Sequence, residues 1–559
     1  MQPAFAIFLE AIEIVRDFFT VFFDFLRDDR QARFCGAISC PMIFAILFAS
    51  PANAEGRDLC SSFSNPLSTQ EIASLREDLL DVMPIQNYEV ASKIKIRNVA
   101  ATLEVFAPTA LPDGHGGFEV QVPNGFRQLQ CHLIYVYFNV ITDHLNESAM
   151  KLITRSCLES SKNNPVACAY AVPKFIFEKV ESRGDDKGSK GDIELKSLID
   201  KFTRSAFLFI MLHEYAHIIL GHLENVRLGV ELEADTFAAA YGEFAEDSQS
   251  RQTMGQFGPF GNFAVMRFAD GLMPADILHP PFACRARTLA TVLEKVENLI
   301  VLIRNWPIET PAEFEKTLKD YTPIKDLLYP ELLADIERSN CPVDNTKALN
   351  NFINDLGQIR NEVSDINKKE NSATPPDSLE FVHQLMKLRL QSTMGRFLRG
   401  RIISVRLRDL NNFVGDRLTK ESYSRSVRSF LLGPDSRFLS AGDFGRLTAL
   451  EAFHHDFTDQ GRDIRAVAQA QITKLKTAIR YNPKFALAYF YLALAKLQIG
   501  QCDDALAAMD QTNARAGPTM AENARRLLRD VHQKILTGIA AQGCERFTAN
   551  FWSGDVTLP

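Results

Sequence analysis

At 559 residues the chain is long enough for roughly three to four domains of about 150 residues each. Hydrophobic residues make up 46% and charged residues 23%, which excludes a disordered or fibrous chain and is ordinary for a globular one. A net charge of −7, with no long basic run, gives no footprint for a nucleic-acid partner.

In residues 1–27, Glu10, Glu13, Asp17 and Asp24 recur at helical spacing opposite Phe8, Ile12, Phe19, Phe22 and Phe23. This reads either as an amphipathic helix or as translated sequence upstream of the true start. Arg27, Arg30 and Arg33 then precede an uncharged run from Phe34 to Ala54 that ends in Ala52-Asn53-Ala54. Basic, apolar and small-x-small segments in that order describe a secretory signal cleaved before Glu55, placing the mature chain in a bacterial periplasm or outside the cell. The uncharged run also reaches spanning length, so a membrane anchor at residues 34–54 is the alternative; Pro41 and Pro51 favour cleavage. Removing Cys35 and Cys40 leaves eight of the ten cysteines, an even number that permits disulfides. Cys157 with Cys168 and Cys502 with Cys544 are the expected pairs, with buried free thiols as the alternative.

Beyond Glu55 the pattern is helical over Ile72–Val82, then strand-rich at Tyr88–Ile96, Thr102–Phe106 and Phe118–Val122, with Gly114-His115-Gly116-Gly117 as a turn. Gln130–Val140 is apolar and of undecided type. Ala169–Phe177 is an edge-strand candidate because of Pro173, and Ser182–Gly191 reads as a polar loop. A long apolar helix follows at roughly 195–223, then an acidic helix at about 230–244. Residues 283–461 are mostly helical, broken at Asn340-Cys341-Pro342 and by a linker at Lys368–Ser378. Near the C-terminus, a 34-residue frame ending at Asn482-Pro483 places Ala493, Gly500 and Ala505 at small-residue positions, and the segment resembles tetratricopeptide repeats. Gln471 and Thr512 depart from that pattern, and a plain helical hairpin is the alternative.

The long helix contains His213-Glu214-Tyr215-Ala216-His217. Two histidines four apart share one helix face, so both imidazoles can reach one ion, and Glu214, one step round, can reach a water beside it. Catalytic zinc takes three protein ligands and an open position. The acidic helix is the obvious donor of the third, through Glu231, while Asp235 can accept the far ring N–H of a ligand histidine. Glu233 points about 200° away from Glu231 on a helix and is rejected as a ligand. His222, five residues past His217, rotates off the ligand face and suits a capping or supporting role. Leu220 and Leu223 stand where a metzincin has glycine and histidine, which excludes that class. The competing reading is a pair of core histidines beside a solvated acidic helix.

With HEYAHIILGH, then ELEAD, then His279-Pro280-Pro281 and Arg285, the chain resembles the gluzincin metallopeptidases of the HtpX and CAAX-prenyl-protease superfamily. The C-terminal repeats resemble the architecture of BepA-like envelope proteases. The interval from His217 to Glu231 is shorter than usual there and closer to ImmA-like and Lit-like peptidases. The resemblance implies one Zn2+ per chain held by His213, His217 and Glu231, Glu214 as general base, and Asp235 and Arg285 in support. His279 would lie near the open coordination position as a candidate oxyanion donor or as a structural or gating residue.

The expected architecture is an α+β zincin-type metallopeptidase domain at 55–300 after the extension and signal at 1–54. A helical region at 301–461 and a tetratricopeptide-like module at 462–559 complete it. The expected function is zinc-dependent endoproteolysis in envelope protein quality control. Partners would be protein or peptide substrates and a protein bound by the repeats, with no nucleic acid; peripheral membrane association is left open. The rivals are a chaperone or adaptor whose metal site is regulatory or vestigial, and a cytosolic phage-defence or regulator-cleaving peptidase.

Overall fold

In a computed structural model of the chain, the described residues are 60–102, 107–141, 190–224, 229–242, 283–289, 347–370, 379–411, 418–454, 464–516 and 522–553, with single residues 262, 292, 414 and 520. Residues 1–54, the Cys157–Cys168 pair, the Ala169–Phe177 run, Asn340–Pro342 and His279 lie outside the described residues.

Helix α1 (Thr69–Val82) starts on a capping box: Ser68 Oγ accepts the Glu71 N–H at 3.2 Å and the Glu71 carboxylate accepts the Ser68 N–H at 2.8 Å. It ends before Pro84, which holds Met83 in an extended conformation. Helix α2 (Ile85–Ala91) follows, so Tyr88–Ala91, expected as strand, is helical, and strand β1 covers Lys95–Val99. Tertiary packing overrides the local β preference here. Tyr88 meets Tyr481 edge-on with centroids 4.9 Å apart and donates its hydroxyl to the Arg480 carbonyl at 3.0 Å.

Strand β3 (Phe118–Pro123) lies between β1, which runs parallel to it, and β2 (Thr109–Pro112), which runs antiparallel. β2, unforeseen in the sequence, is therefore an edge of the sheet among the described residues. The β2–β3 turn closes on Asp113, whose carboxylate accepts the N–H groups of His115 and Gly117 at 2.9 and 2.8 Å. Gly114 and Gly116 supply the positive φ angles of that turn, 74° and 83°.

The undecided run at Gln130–Val140 belongs to helix α3 (Phe126–Ile141), which packs on the long helix α4 (Lys190–Ile219). Helix α4 starts at Lys190 rather than near 195. It is buried on nearly every side from Phe202 to Ile218, as suits a helix at the centre of a domain. It also ends four residues early: Gly221, at φ 71°, reverses the chain. Helix α5 (Val230–Gly242) packs along α4, and every residue of it except Glu233 is buried. Its Phe237 stacks on Tyr241 and Tyr241 stacks on Phe397, each pair with centroids 3.9 Å apart, which anchors α5 to the helices that follow.

Those helices are α6 (Lys347–Glu370), α7 (Glu380–Lys387), α8 (Thr393–Asn411), α9 (Lys420–Leu432) and α10 (Ala441–His454). Lys368–Glu370, expected in a linker, continues α6. The C-terminal set is α11 (Ile464–Tyr481), α12 (Ala486–Gln498), α13 (Cys502–Arg515), α14 (Glu522–Gln542) and α15 (Cys544–Ser553). Ala493 and Ala505 are fully buried where α12 and α13 pack together. Gly500 instead sits in their three-residue turn at φ 76°, where its backbone freedom matters. Gln471, large for its position, is accommodated by donating to the Ala452 carbonyl at 3.1 Å.

Among the described residues two hydrophobic clusters result, one around α4 and one among the C-terminal helices. Helix α10 serves both: Leu447 joins the first, Ala449 and Ala452 the second. Among the described residues no helix is long and apolar enough to cross a membrane.

Disulfides join Cys60 to Cys131 and, as expected, Cys502 to Cys544. The first pins the 3-10 turn at Ser61–Phe63 to α3 across 71 residues of sequence. Closing a loop of that length removes about 4 kcal/mol of unfolded-chain entropy. The double variant Cys60→Ala, Cys131→Ala is accordingly expected to unfold at lower urea concentration by about that free energy. A midpoint unchanged from wild type would show that the bridge adds nothing.

Candidate metal centre

The site is assembled from the last two turns of α4 and the first two of α5. Helical periodicity stacks His213 above His217, and their Nε2 atoms lie 3.0 Å apart. Helix α5 supplies Glu231 opposite them, its Oε2 3.3 Å from His213 Nε2 and its Oε1 3.4 Å from His217 Nε2. Zinc–ligand bonds of about 2.0–2.1 Å in a tetrahedron require ligand atoms separated by about 3.3 Å. One ligand atom from each of His213, His217 and Glu231 lies within 4.8 Å of the other two, and each imidazole has one of the two Glu231 oxygens 3.3–3.4 Å away, so the three residues fit a zinc ion by donor type and by proximity. Among the described residues this is the one group of three or more such side chains close enough to share an ion.

Buried charges around the donors are paired. Asp235, fully buried one turn along α5, places Oδ1 2.9 Å from His213 Nδ1. Arg285 grips the same carboxylate at two points, Nε to Oδ2 at 2.7 Å and Nη2 to Oδ1 at 2.8 Å. Its third nitrogen lies 3.4 Å from Glu231 Oε2. Burial alone would raise both carboxyls, but the Arg285 guanidinium and His213 hold Asp235 and Glu231 below the usual carboxylate range.

Glu214 leaves the ligand cluster and stands beside it. Its Oε1 is 4.0 Å from His213 Nε2, too far to share a ligand position, while its Oε2 accepts the Ala110 N–H of β2 at 2.7 Å. Burial pushes its carboxyl up to about 7, with His213 opposing the shift. A carboxyl that takes up and releases protons near neutral pH suits general acid–base work. Nothing in the sequence marks Ala110 for this contact, because the group involved is a backbone N–H.

The two histidines diverge. Burial and the neighbouring His213 drive His217 down to about 3. Burial also opposes a charge on His213, yet the adjacent Asp235 and Glu231 carboxylates outweigh it and raise that imidazole to about 10. The metal-free cluster thus holds a proton on His213 where a metal would sit, and binding must expel it. Zinc affinity is therefore expected to rise with pH from 6 to 8 by on the order of tenfold per unit, one proton being released per ion. Competition against a chelating dye measures this; an affinity independent of pH would show that His213 is already neutral.

The structure thus brings together His213, Glu214, His217, Glu231, Asp235 and Arg285. Glu233 is turned the other way, its carboxylate 3.2 Å from His222 Nε2. No family model, curated protein or solved structure matches this chain.

Proposed function

We propose that this chain is a zinc-dependent endopeptidase. The observation that carries this reading is the buried His213, His217 and Glu231 cluster, close enough to share one ion, with Glu214 beside it but outside the set. When bound, zinc would polarise the scissile carbonyl and bring the pKa of a water towards about 7. His213, His217 and Glu231 would hold the ion, and Asp235 and Arg285 would fix His213 and Glu231. The Glu214 carboxylate would take the proton of the attacking water and deliver it to the leaving amine. Strand β2 suits a polypeptide substrate: among the described residues it is an edge of the sheet, and an extended chain added along it would pass Ala110 and Glu214. His279, proposed near the open position, lies outside the described residues.

An oxidising compartment fits better than the cytosol. Every cysteine among the described residues, Cys60, Cys131, Cys284, Cys502 and Cys544, is disulfide-bonded. This supports the exported reading over the cytosolic peptidase, with envelope protein quality control as the setting and the C-terminal helices as a protein-binding module. Measuring zinc per chain and cleavage of an unfolded protein, each with and without a chelator, tests the proposal. One zinc per chain and chelator-sensitive cleavage are expected; stoichiometric zinc without any cleavage would favour the adaptor with a vestigial site.

A further inference from the structure

His222 reaches the site through the turn that ends α4. Gly221 takes a left-handed φ of 71°, and the His222 N–H donates to the His217 carbonyl at 2.8 Å, the six-to-one bond of a Schellman turn. An ideal helix would carry His222 away from the ligand face; the reversal folds it back over the last turn. Its ring meets that of His217 with centroids 5.1 Å apart and planes at 71°, and the two Nδ1 atoms are 3.1 Å apart. Its Nε2 lies 3.2 Å from Glu233 Oε2 on α5. His222 is 3% exposed, so these ring contacts are made away from bulk water.

One assignment of protons satisfies the whole chain of contacts. If the His217 Nε2 lone pair faces Glu231 and His213, the ring hydrogen is on Nδ1 and is donated to His222 Nδ1. His222 then carries its own hydrogen on Nε2 and donates it to the Glu233 carboxylate. In the other tautomer the His217 Nε2–H would point into the donor cluster and block the metal position. His213 has a carboxylate directly on its Nδ1, that of Asp235; His217 reaches one at a single remove.

We propose that His222 and Glu233 are positioning residues that lock the Nδ1–H tautomer of His217 and aim its Nε2 at the metal. The inference rests on the zinc reading above and deepens it. Ligand histidines commonly give their second nitrogen to such a partner, whose loss weakens metal binding about 10- to 100-fold.

The test uses the full chain, with Zn2+ release to a chromophoric chelator and the visible spectrum of the Co2+-loaded protein as readouts. Wild type is measured first: if it takes up neither ion, the zinc reading itself falls and the relay with it. Given metal uptake by wild type, His222→Leu is expected to release zinc about 10- to 100-fold faster and to shift the cobalt bands. His222→Gln, which can accept through Oε1 and donate through Nε2, is expected to recover most of both. Glu233→Ala, at the less buried end of the relay, should show a smaller shift in the same direction and decides the matter if His222→Leu does not fold. Cobalt bands report ligand geometry, which a merely structural role for His222 would leave alone. Wild-type release and spectrum in His222→Leu and Glu233→Ala, or a Gln variant no better than Leu, would overturn the relay while leaving the metal site standing.

Discussion

Glu214→Gln is expected to bind zinc as wild type does and to lose at least about 100-fold of its hydrolysis of an unfolded protein. The carboxamide is the same size as the carboxylate, and its oxygen can still accept the Ala110 N–H that holds the wild-type side chain at 2.7 Å. Position is kept and basicity is lost. Zinc should stay because the nearer Glu214 oxygen is 4.0 Å from His213 Nε2, outside the ligand set. Glu231→Ala is the contrasting variant, expected to lose the ion itself. Zinc content by metal analysis and cleavage rate by peptide release separate the two. Equal cleavage by Glu214→Gln and wild type would remove the assigned mechanism, and wild-type zinc affinity in Glu231→Ala would remove the ligand assignment.

Arg285→Met carries the largest expected cost to stability. Arg285 is the cation beside two buried carboxylates: it makes two hydrogen bonds to the fully buried Asp235 and approaches Glu231 at 3.4 Å. Breaking a buried pair by removing one partner leaves the other charge uncompensated, at about 3–5 kcal/mol. Two compensations remain and make the prediction specific. The first is the His213 proton. Because that imidazole is raised to about 10 in the folded metal-free protein, from an ordinary value near 6.5, its contribution is fully present below pH 6.5 and fades as pH rises towards 10. Wild type loses the same contribution over that range, so the deficit of Arg285→Met should stay nearly constant from pH 6 to pH 9. The second is zinc, which restores positive charge beside Glu231 and stabilises the folded state by mass action. Arg285→Lys should fall between, keeping the charge without the two-point grip. Thermal unfolding at pH 6 and 9, with and without zinc, measures all of this; an Arg285→Met chain within about 1 kcal/mol of wild type would mean the pairing is not structural.

Legibility followed the range of the interaction concerned. His213, Glu214 and His217 could be read as one constellation because helical periodicity is local, and the same argument set Glu231 and Asp235 on one face of the next helix. It also turned Glu233 away from them, without revealing that Glu233 faces His222. His222 itself was read as lying off the ligand face, which holds for an uninterrupted helix; the left-handed Gly221 ends α4 at Ile219 and folds His222 back. Strand propensity misassigned Tyr88–Ala91, where contacts with Arg480 and Tyr481, almost four hundred residues away, favour a helix. The edge strand at Thr109–Pro112 was missed because four residues carry too little periodic signal to stand out.

By itself the sequence determined the kinds of candidate donor, their spacing on each helix and the presence of a glutamate between the two histidines. These depend on side-chain chemistry and on a 3.6-residue period that any helix supplies. Tertiary structure decided that α4 and α5 pack with three donor residues close enough to share one ion, that Arg285 pairs with both Asp235 and Glu231, and that Ala110 holds Glu214. Each of these joins segments whose meeting is fixed by burial of apolar faces across the whole domain, and no local pattern encodes which faces meet.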